Sequence, residues 1–159
     1  MSRPVGVYIH LPFCASKCAY CDFPSYAGQE HLKETYTQVL CAEIAERADL
    51  TGPLTVDTVF LGGGTPSLMA PGQLARILDT LRAHYEVLAG AEITCEANPG
   101  TLERALLDTL AARGVNRLSL GAQSAHEDEL RLLGRIHTWE QVAQSVSMAR
   151  TAGLYNINL

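Results

Sequence analysis

Three cysteines, Cys14, Cys18 and Cys21, fall within eight residues in the stretch CASKCAYC. Thiolates three and four positions apart on one irregular loop can converge on a soft metal centre. Three of them hold a four-iron cubane while leaving one iron free of protein, and that open corner is a place for chemistry. A structural zinc site asks instead for four closed ligands, usually two Cys-x2-Cys pairs. No second pair follows here, so His10 or His31 would have to complete it. Disulfides fit poorly: three clustered thiols leave an odd one, Cys41 and Cys95 fall in no disulfide-like framework, and the first residues show no secretory signal. The expected setting is reduced and cytoplasmic.

Further chemistry-bearing stretches follow at intervals. The run GGGTPS at Gly62–Ser67 is either a flexible turn into a helix or a place where bare backbone amides let a ligand approach; Gly63, Gly64 and Thr65 favour the second reading. Glu96, in EANPGT, is either an ordinary rim carboxylate or an acceptor for an amine or hydroxyl of a bound small molecule. Gln123, in GAQS, carries donor and acceptor together, which suits a sugar hydroxyl and suits loop bracing equally. Arg135, in LLGRIH, can bind a carboxylate in a two-pronged fork or cover a helix end. Cys41 and Cys95 read as small buried hydrophobes. His31, His84, His126 and His137 read as solvated or capping side chains, and His10 shares a strand face with Tyr8 just before the cysteine loop.

The elements that must position these residues alternate strand and helix. At 159 residues, 47% hydrophobic and a net charge of -5, the chain can bury one core and carries no stretch that would span a membrane. Without a basic run it has no electrostatic footprint for nucleic acid, and that class is set aside. Short apolar runs predict strands at Val5–Leu11, Val56–Leu61, Ala91–Ala97, Val115–Leu120 and Leu154–Leu159. A helix over about Glu30–Asp49 should bury a stripe of Leu32, Tyr36, Val39, Leu40 and Ile44. A second should start at Pro71, and a third should follow Thr101 as cap and stop before Gly114. Ser124 with Glu127, and Thr138 with Gln141, read as capping boxes for two more, the last closed by Gly153.

Strands joined by crossover helices must run parallel. Ile93 and Cys95 alternate with Thr94 and Glu96, Leu118 and Leu120 with Ser119 and Gln123, and the fifth strand repeats the pattern with Asn156 and Asn158. A sheet covered on both faces would be apolar throughout, so one face should line a wet cavity, which favours a partial (β/α) barrel. The cysteine loop, GGGTPS, EANPGT and GAQS all then follow strand C-termini, the rim where such folds gather ligands.

YIHLPFC-ASK-CAYCDF resembles the cluster loop of radical S-adenosylmethionine proteins, specifically the oxygen-independent coproporphyrinogen III oxidase group. FLGGGTPS, EITCEANPGT and GVNRLSLGAQS followed by LLGRIH are similar to that group in the same order. The resemblance implies a 4Fe-4S cluster on Cys14, Cys18 and Cys21, its fourth iron chelated by the amino and carboxylate groups of S-adenosylmethionine. It further implies cofactor contacts at Tyr8, Tyr20, Gly63, Gly64, Thr65, Glu96, Gln123 and Arg135.

One departure matters within the group. The oxidases resemble Cys-x3-Cys-x2-Cys-x-Cys, whereas this chain has Asp22 and Phe23 after Cys21. The CDF form is similar to heme chaperones of the HemW type, which share the cofactor domain and are associated with passing heme to apoproteins. The expected ligands and partners are therefore heme or a porphyrinogen, an apo-hemoprotein acceptor and an electron donor. The family also continues past the fifth strand, so residues 1–159 are expected to be the N-terminal part of a radical SAM core domain, without the remaining barrel or the C-terminal domain.

Overall fold

The computed structural model describes residues 3–159. Within it the aliphatic runs become strands β1 (Val5–Leu11), β4 (Thr55–Gly63), β5 (Glu86–Ala97), β6 (Arg117–Leu120) and β7 (Asn156–Asn158). These form one parallel sheet in the order β1-β4-β5-β6-β7, so chain order and spatial order coincide. Crossovers of one hand that always step in one direction lay their helices on a single face of the sheet. The helices α1 (Lys33–Thr51), α2 (Pro71–His84), α3 (Arg104–Ala112) and α5 (Trp139–Thr151) accordingly neighbour one another in sequence, α1 on α2, α2 on α3 and α3 on α5. The other face is left without helices, which is the curved, one-sided layer of a partial barrel.

Alternation along each strand serves this arrangement. Leu11, Leu61, Cys95, Leu118 and Leu120 point to the helices and are buried. They form one cluster with Leu74, Ile77, Leu78 and Leu81 of α2, Leu106, Leu107 and Leu110 of α3, and Val142 and Ala149 of α5. Each large aliphatic side chain sealed there contributes about 1.5–3 kcal/mol relative to exposure.

Local chemistry ends the elements. Pro71 opens α2 at its first turn, where its missing N–H costs nothing. Gly114, at φ +73, follows α3 in the left-handed conformation. The Thr138 side chain accepts from the Gln141 N–H at 3.4 Å, and Gln141 Oε1 accepts from the Thr138 N–H at 2.9 Å, so this capping box forms.

Several expectations are corrected. Glu30–Leu32 is a 3-10 turn, not the first turn of α1. Leu32 and Val39 are exposed, Tyr36 and Leu40 only partly buried, and Thr37 joins Ile44 as the buried pair. The helix lies at the end of the layer and packs sideways onto α2, held by Glu34 against Arg76 at 2.7 Å. Thr101 does not cap α3: the cap position is Glu103, and the Thr101 hydroxyl donates to the Asn98 carbonyl at 2.7 Å. Ser124 and Glu127 make no capping box, because Glu127 is itself the first residue of α4 (Glu127–Leu132). Ser124 instead accepts the His126 N–H at 3.0 Å and bonds Glu129. A short parallel pair, β2 (Phe13–Cys14) with β3 (Tyr26–Ala27), and a 3-10 turn at Pro66–Leu68 complete the described elements.

Candidate functional site

The cysteine loop runs between β1 and α1 and is pinned at many points. β2 and β3 close its base, with the Tyr26 N–H donating to the Pro12 carbonyl at 2.7 Å. Lys17 Nζ donates across the loop to the Phe23 carbonyl at 2.6 Å, and the Cys21 N–H donates to the Cys18 carbonyl at 3.2 Å. On the far side the Ala19 N–H reaches the Leu133 carbonyl at 3.3 Å, tying the loop to the segment that carries Arg135. His10 braces it from β1. Its Nε2–H donates to the Pro24 carbonyl at 2.9 Å, which in the neutral ring leaves Nδ1 to accept from the Tyr8 hydroxyl at 3.0 Å.

The loop closes one wall of a cavity of about 270 Å³ at the C-terminal ends of the strands. Cys14, Cys18 and Cys21 line it, each a free, half-buried thiol. Two of the sulfurs meet donors: Arg135 Nη1 donates to Cys18 Sγ at 3.3 Å, and the Thr65 hydroxyl to Cys14 Sγ at 3.8 Å. Asn98 joins those donors, its Nδ2 donating to Thr65 Oγ1 at 2.9 Å and its Oδ1 accepting from Arg135 Nη2 at 2.6 Å. Among the described residues the buried Arg135 Nε has no hydrogen-bond partner.

The glycine run does something other than bare its amides. The Gly64 N–H donates to the Leu11 carbonyl at 2.9 Å, the Thr65 N–H to the Phe13 carbonyl at 2.7 Å and the Gly63 N–H to Glu96 Oε2 at 3.1 Å. A Cβ on Gly64 would stand 2.6 Å from the Phe13 carbonyl oxygen, so glycine there lets β4 approach the cysteine loop backbone to backbone. Gly63 and Gly64 still line the cavity, but as wall, not as an open nest.

Glu96 lines the same cavity as the cysteines, in register with Ser119 of β6 and through it with Asn158 of β7. All three line the cavity. Burial raises the Glu96 pKa above the usual carboxylate range, while the Gly63 N–H and His10 pull it back. Tyr20 sits on the rim beside Cys21, its pKa raised by burial against the opposing pull of Arg135. Gln123 has φ +67, the left-handed conformation that no other non-glycine residue takes among those described, and its side chain reaches the cavity. Such a backbone is held by its surroundings at a cost of about 1–3 kcal/mol.

Ten of the eleven residues singled out from sequence therefore surround one cavity, Cys14, Cys18, Cys21, Tyr20, Gly63, Gly64, Thr65, Glu96, Gln123 and Arg135. Tyr8 does not line it, but is stacked on Phe60 with ring centres 6.1 Å apart and linked to the loop through His10. Asn98, Ser119 and Asn158 were not singled out. The alternation that carries Ser119 and Asn158 was visible, but their register was not, and nothing in the sequence marked the side-chain pairing of Asn98. His137, expected to be solvated or capping, is instead buried, its ring N–H held by the Ala122 carbonyl at 3.0 Å. Cys95 is fully buried, and burial pushes its thiol up to about 12.

The donor set suits a thiolate-held cluster. Three free thiols border a cavity, with N–H and O–H donors on two of the sulfurs to stabilise their negative charge. The imidazoles a zinc site would need are engaged elsewhere, both His10 nitrogens in hydrogen bonds and His31 in the 3-10 turn beside a different surface hollow. Among the described residues, no three Cys, His, Asp or Glu side chains gather to hold a single ion. No described helix is long and apolar enough to cross a membrane.

Comparison with known proteins bears on the family and the fold. Residues 8–159 match the family described as the Radical SAM superfamily. The chain is 40% identical over 157 residues to a protein of Escherichia coli strain K12 named heme chaperone HemW, covering 98% of this chain and 42% of that one. It is 38% identical over 145 residues to the zebrafish (Danio rerio) protein named radical S-adenosyl methionine domain-containing protein 1, mitochondrial, covering 91% of this chain and 33% of that one. The solved coproporphyrinogen III oxidase HemN of Escherichia coli superimposes with a TM-score of 0.89 at 34% identity, over 98% of this chain and 36% of that one. The chain spans about two fifths of the length of the first curated relatives it matches.

Proposed function

The chain belongs to the Radical SAM superfamily, and from that premise we propose that it is the cluster- and S-adenosylmethionine-binding part of a cytoplasmic heme chaperone. Cys14, Cys18 and Cys21 would hold a 4Fe-4S cluster, and Tyr20, Gly63, Gly64, Thr65, Glu96, Gln123 and Arg135 would surround S-adenosylmethionine, with Tyr8 behind them. When bound, such a cluster supplies the electron that cleaves the carbon–sulfur bond of the sulfonium. The protein's own share is placement. Arg135 and Thr65 donate to two of the sulfurs, and Glu96 presents an acceptor for an amine or hydroxyl from across the cavity. Gln123 offers donor and acceptor together, and the partly exposed rings of Phe23 and Tyr20 add aromatic surface to the cavity lining.

The observation that carries this reading is the convergence of the three cysteines with Glu96, Gln123 and Arg135 on one cavity. Two things support a chaperone in particular: relatives of that name match nearly the whole chain, and Phe23 occupies the place where the oxidases resemble a further cysteine. The second reading, an oxygen-independent coproporphyrinogen III oxidase, is favoured by the likeness to the solved enzyme. Anaerobic reconstitution with iron and sulfide, followed by parallel assays, separates them. The chaperone reading expects heme to pass to an apo-hemoprotein acceptor and no decarboxylation. Deoxyadenosine together with decarboxylated product from coproporphyrinogen III, once an electron donor is supplied, would reverse the preference. A colourless protein holding zinc and no sulfide would defeat both.

A further inference from the structure

We infer that Asn98 is a positioning residue that sets which way the Thr65 hydroxyl donates and how Arg135 is posed, and so governs the hydrogen bonding to Cys14 and Cys18; the inference rests on the cluster reading above. Asn98 is the first residue past β5 and is held on every side. Its N–H donates to Ser67 Oγ at 3.3 Å, and its carbonyl accepts from the Thr101 N–H at 3.2 Å and the Thr101 hydroxyl at 2.7 Å. The side chain is thereby presented in one pose between two partners, Thr65 Oγ1 at 2.9 Å and Arg135 Nη2 at 2.6 Å.

A primary amide has donors on one side and an acceptor on the other, and a hydroxyl has a single hydrogen. Because Asn98 Nδ2 donates to the Thr65 oxygen, the Thr65 hydrogen is left free for Cys14 Sγ. Asn98 Oδ1 and the Gly121 carbonyl, at 2.6 Å and 2.9 Å, both occupy Arg135 Nη2, which turns Nη1 toward Cys18 Sγ. One side chain thus orients the donors to two of the three sulfurs.

An isosteric aspartate would break this logic. Its two oxygens accept only, so the Thr65 hydroxyl would turn to the carboxylate and leave Cys14, and the added negative charge would offset Arg135. Donors to cluster sulfurs favour the reduced, more negative form, so losing them lowers the reduction potential.

The test is a redox titration of anaerobically reconstituted chain followed by electron paramagnetic resonance, with iron and sulfide content matched. Asn98→Asp and Thr65→Val should each shift the potential negative. The Asn98→Asp shift should be smaller in the Thr65→Val background, where the hydroxyl arm is already gone. Thr65→Ser, which keeps the hydroxyl, should stay near the parent potential. Equal Asn98→Asp shifts in both backgrounds would overturn the inference. If Asn98→Asp takes up no cluster, the Thr65 pair decides: equal potentials for Thr65→Ser and Thr65→Val overturn it, and a negative shift for valine alone supports it. A parent chain that itself takes up no iron and sulfide overturns the cluster reading and the inference with it, an outcome distinct from a loaded parent with unmoved variants.

Discussion

Along β5, Ile93 and Cys95 face the helices and are almost fully buried, while Glu92 and Glu96 face the side that no helix covers. The same split runs through the sheet. Leu118 and Leu120 seal the core, and Ser119 between them lies in the row that links Glu96 to Asn158. One face carries the apolar core and the other lines the cavity of the proposed site, on alternate residues of the same strands. The contrast teaches why this fold tolerates a polar cavity beside an apolar core. Strand pleating sends neighbouring side chains to opposite faces, so Cys95 packs in the core while the carboxylate of Glu96 lines the cavity.

The comparison breaks most visibly at the cysteines. Replacing Cys14, Cys18 or Cys21 singly by serine should abolish cluster uptake in an iron and sulfide assay, yet leave the denaturation midpoint of the metal-free chain nearly unmoved, since these half-buried thiols lie outside the core. A large loss of stability on the chemistry face would erase the division. On the other face, Leu118→Ala should cost about 2–5 kcal/mol in urea unfolding, because the fully buried leucine leaves a cavity that the surrounding helices fill only in part.

Glu96 sharpens the contrast through pH. Its pKa is raised in the fold, chiefly by burial, so the folded state favours the protonated form. Its contribution to stability is therefore fully present below the unfolded-state value, about 4.3, and is lost as pH rises through the higher folded value. Urea midpoints measured across that window should show a decline that Glu96→Gln lacks. The same variant should also weaken S-adenosylmethionine binding by calorimetry, whereas Cys95→Ala should leave that affinity alone. The smallest effect belongs to neither face: Arg104 and Asp108 form an exposed pair one helical turn apart at 2.7 Å, and Arg104→Ala should change stability by no more than about 0.5 kcal/mol.

Much of this was legible without coordinates. The five strands, the proline that opens α2, the Thr138–Gln141 box and the glycine after α3 are local signals, written in residues that touch one another within a turn. The cysteine spacing is local too. What misled was equally local chemistry answering to distant partners. Ser124 had an acidic residue at the right spacing but bonded Glu129, and Thr101 had a helix ahead of it but turned back to Asn98. His137 looked like a solvated ring at a helix start until the Ala122 carbonyl claimed it in the interior. The glycines of GGGTPS favoured a reading as bare amides open to a ligand, but the partners that take up the Gly63 and Gly64 amides lie on β5 and at the end of β1.

By itself the amino-acid order determined the α/β alternation, the half-polar strands that imply an uncovered face, and the three thiols with their spacing. These follow from periodicity and covalent proximity, which a linear chain records directly. Only the tertiary structure decided that Asn98 bridges Thr65 and Arg135, that Ser119 and Asn158 stand in line with Glu96, and that Tyr8 is linked to the loop through His10. Those relations depend on strand register and on which donor reaches which acceptor across a cavity. Both are set by the packing of segments far apart in sequence, where no residue pattern records the distance.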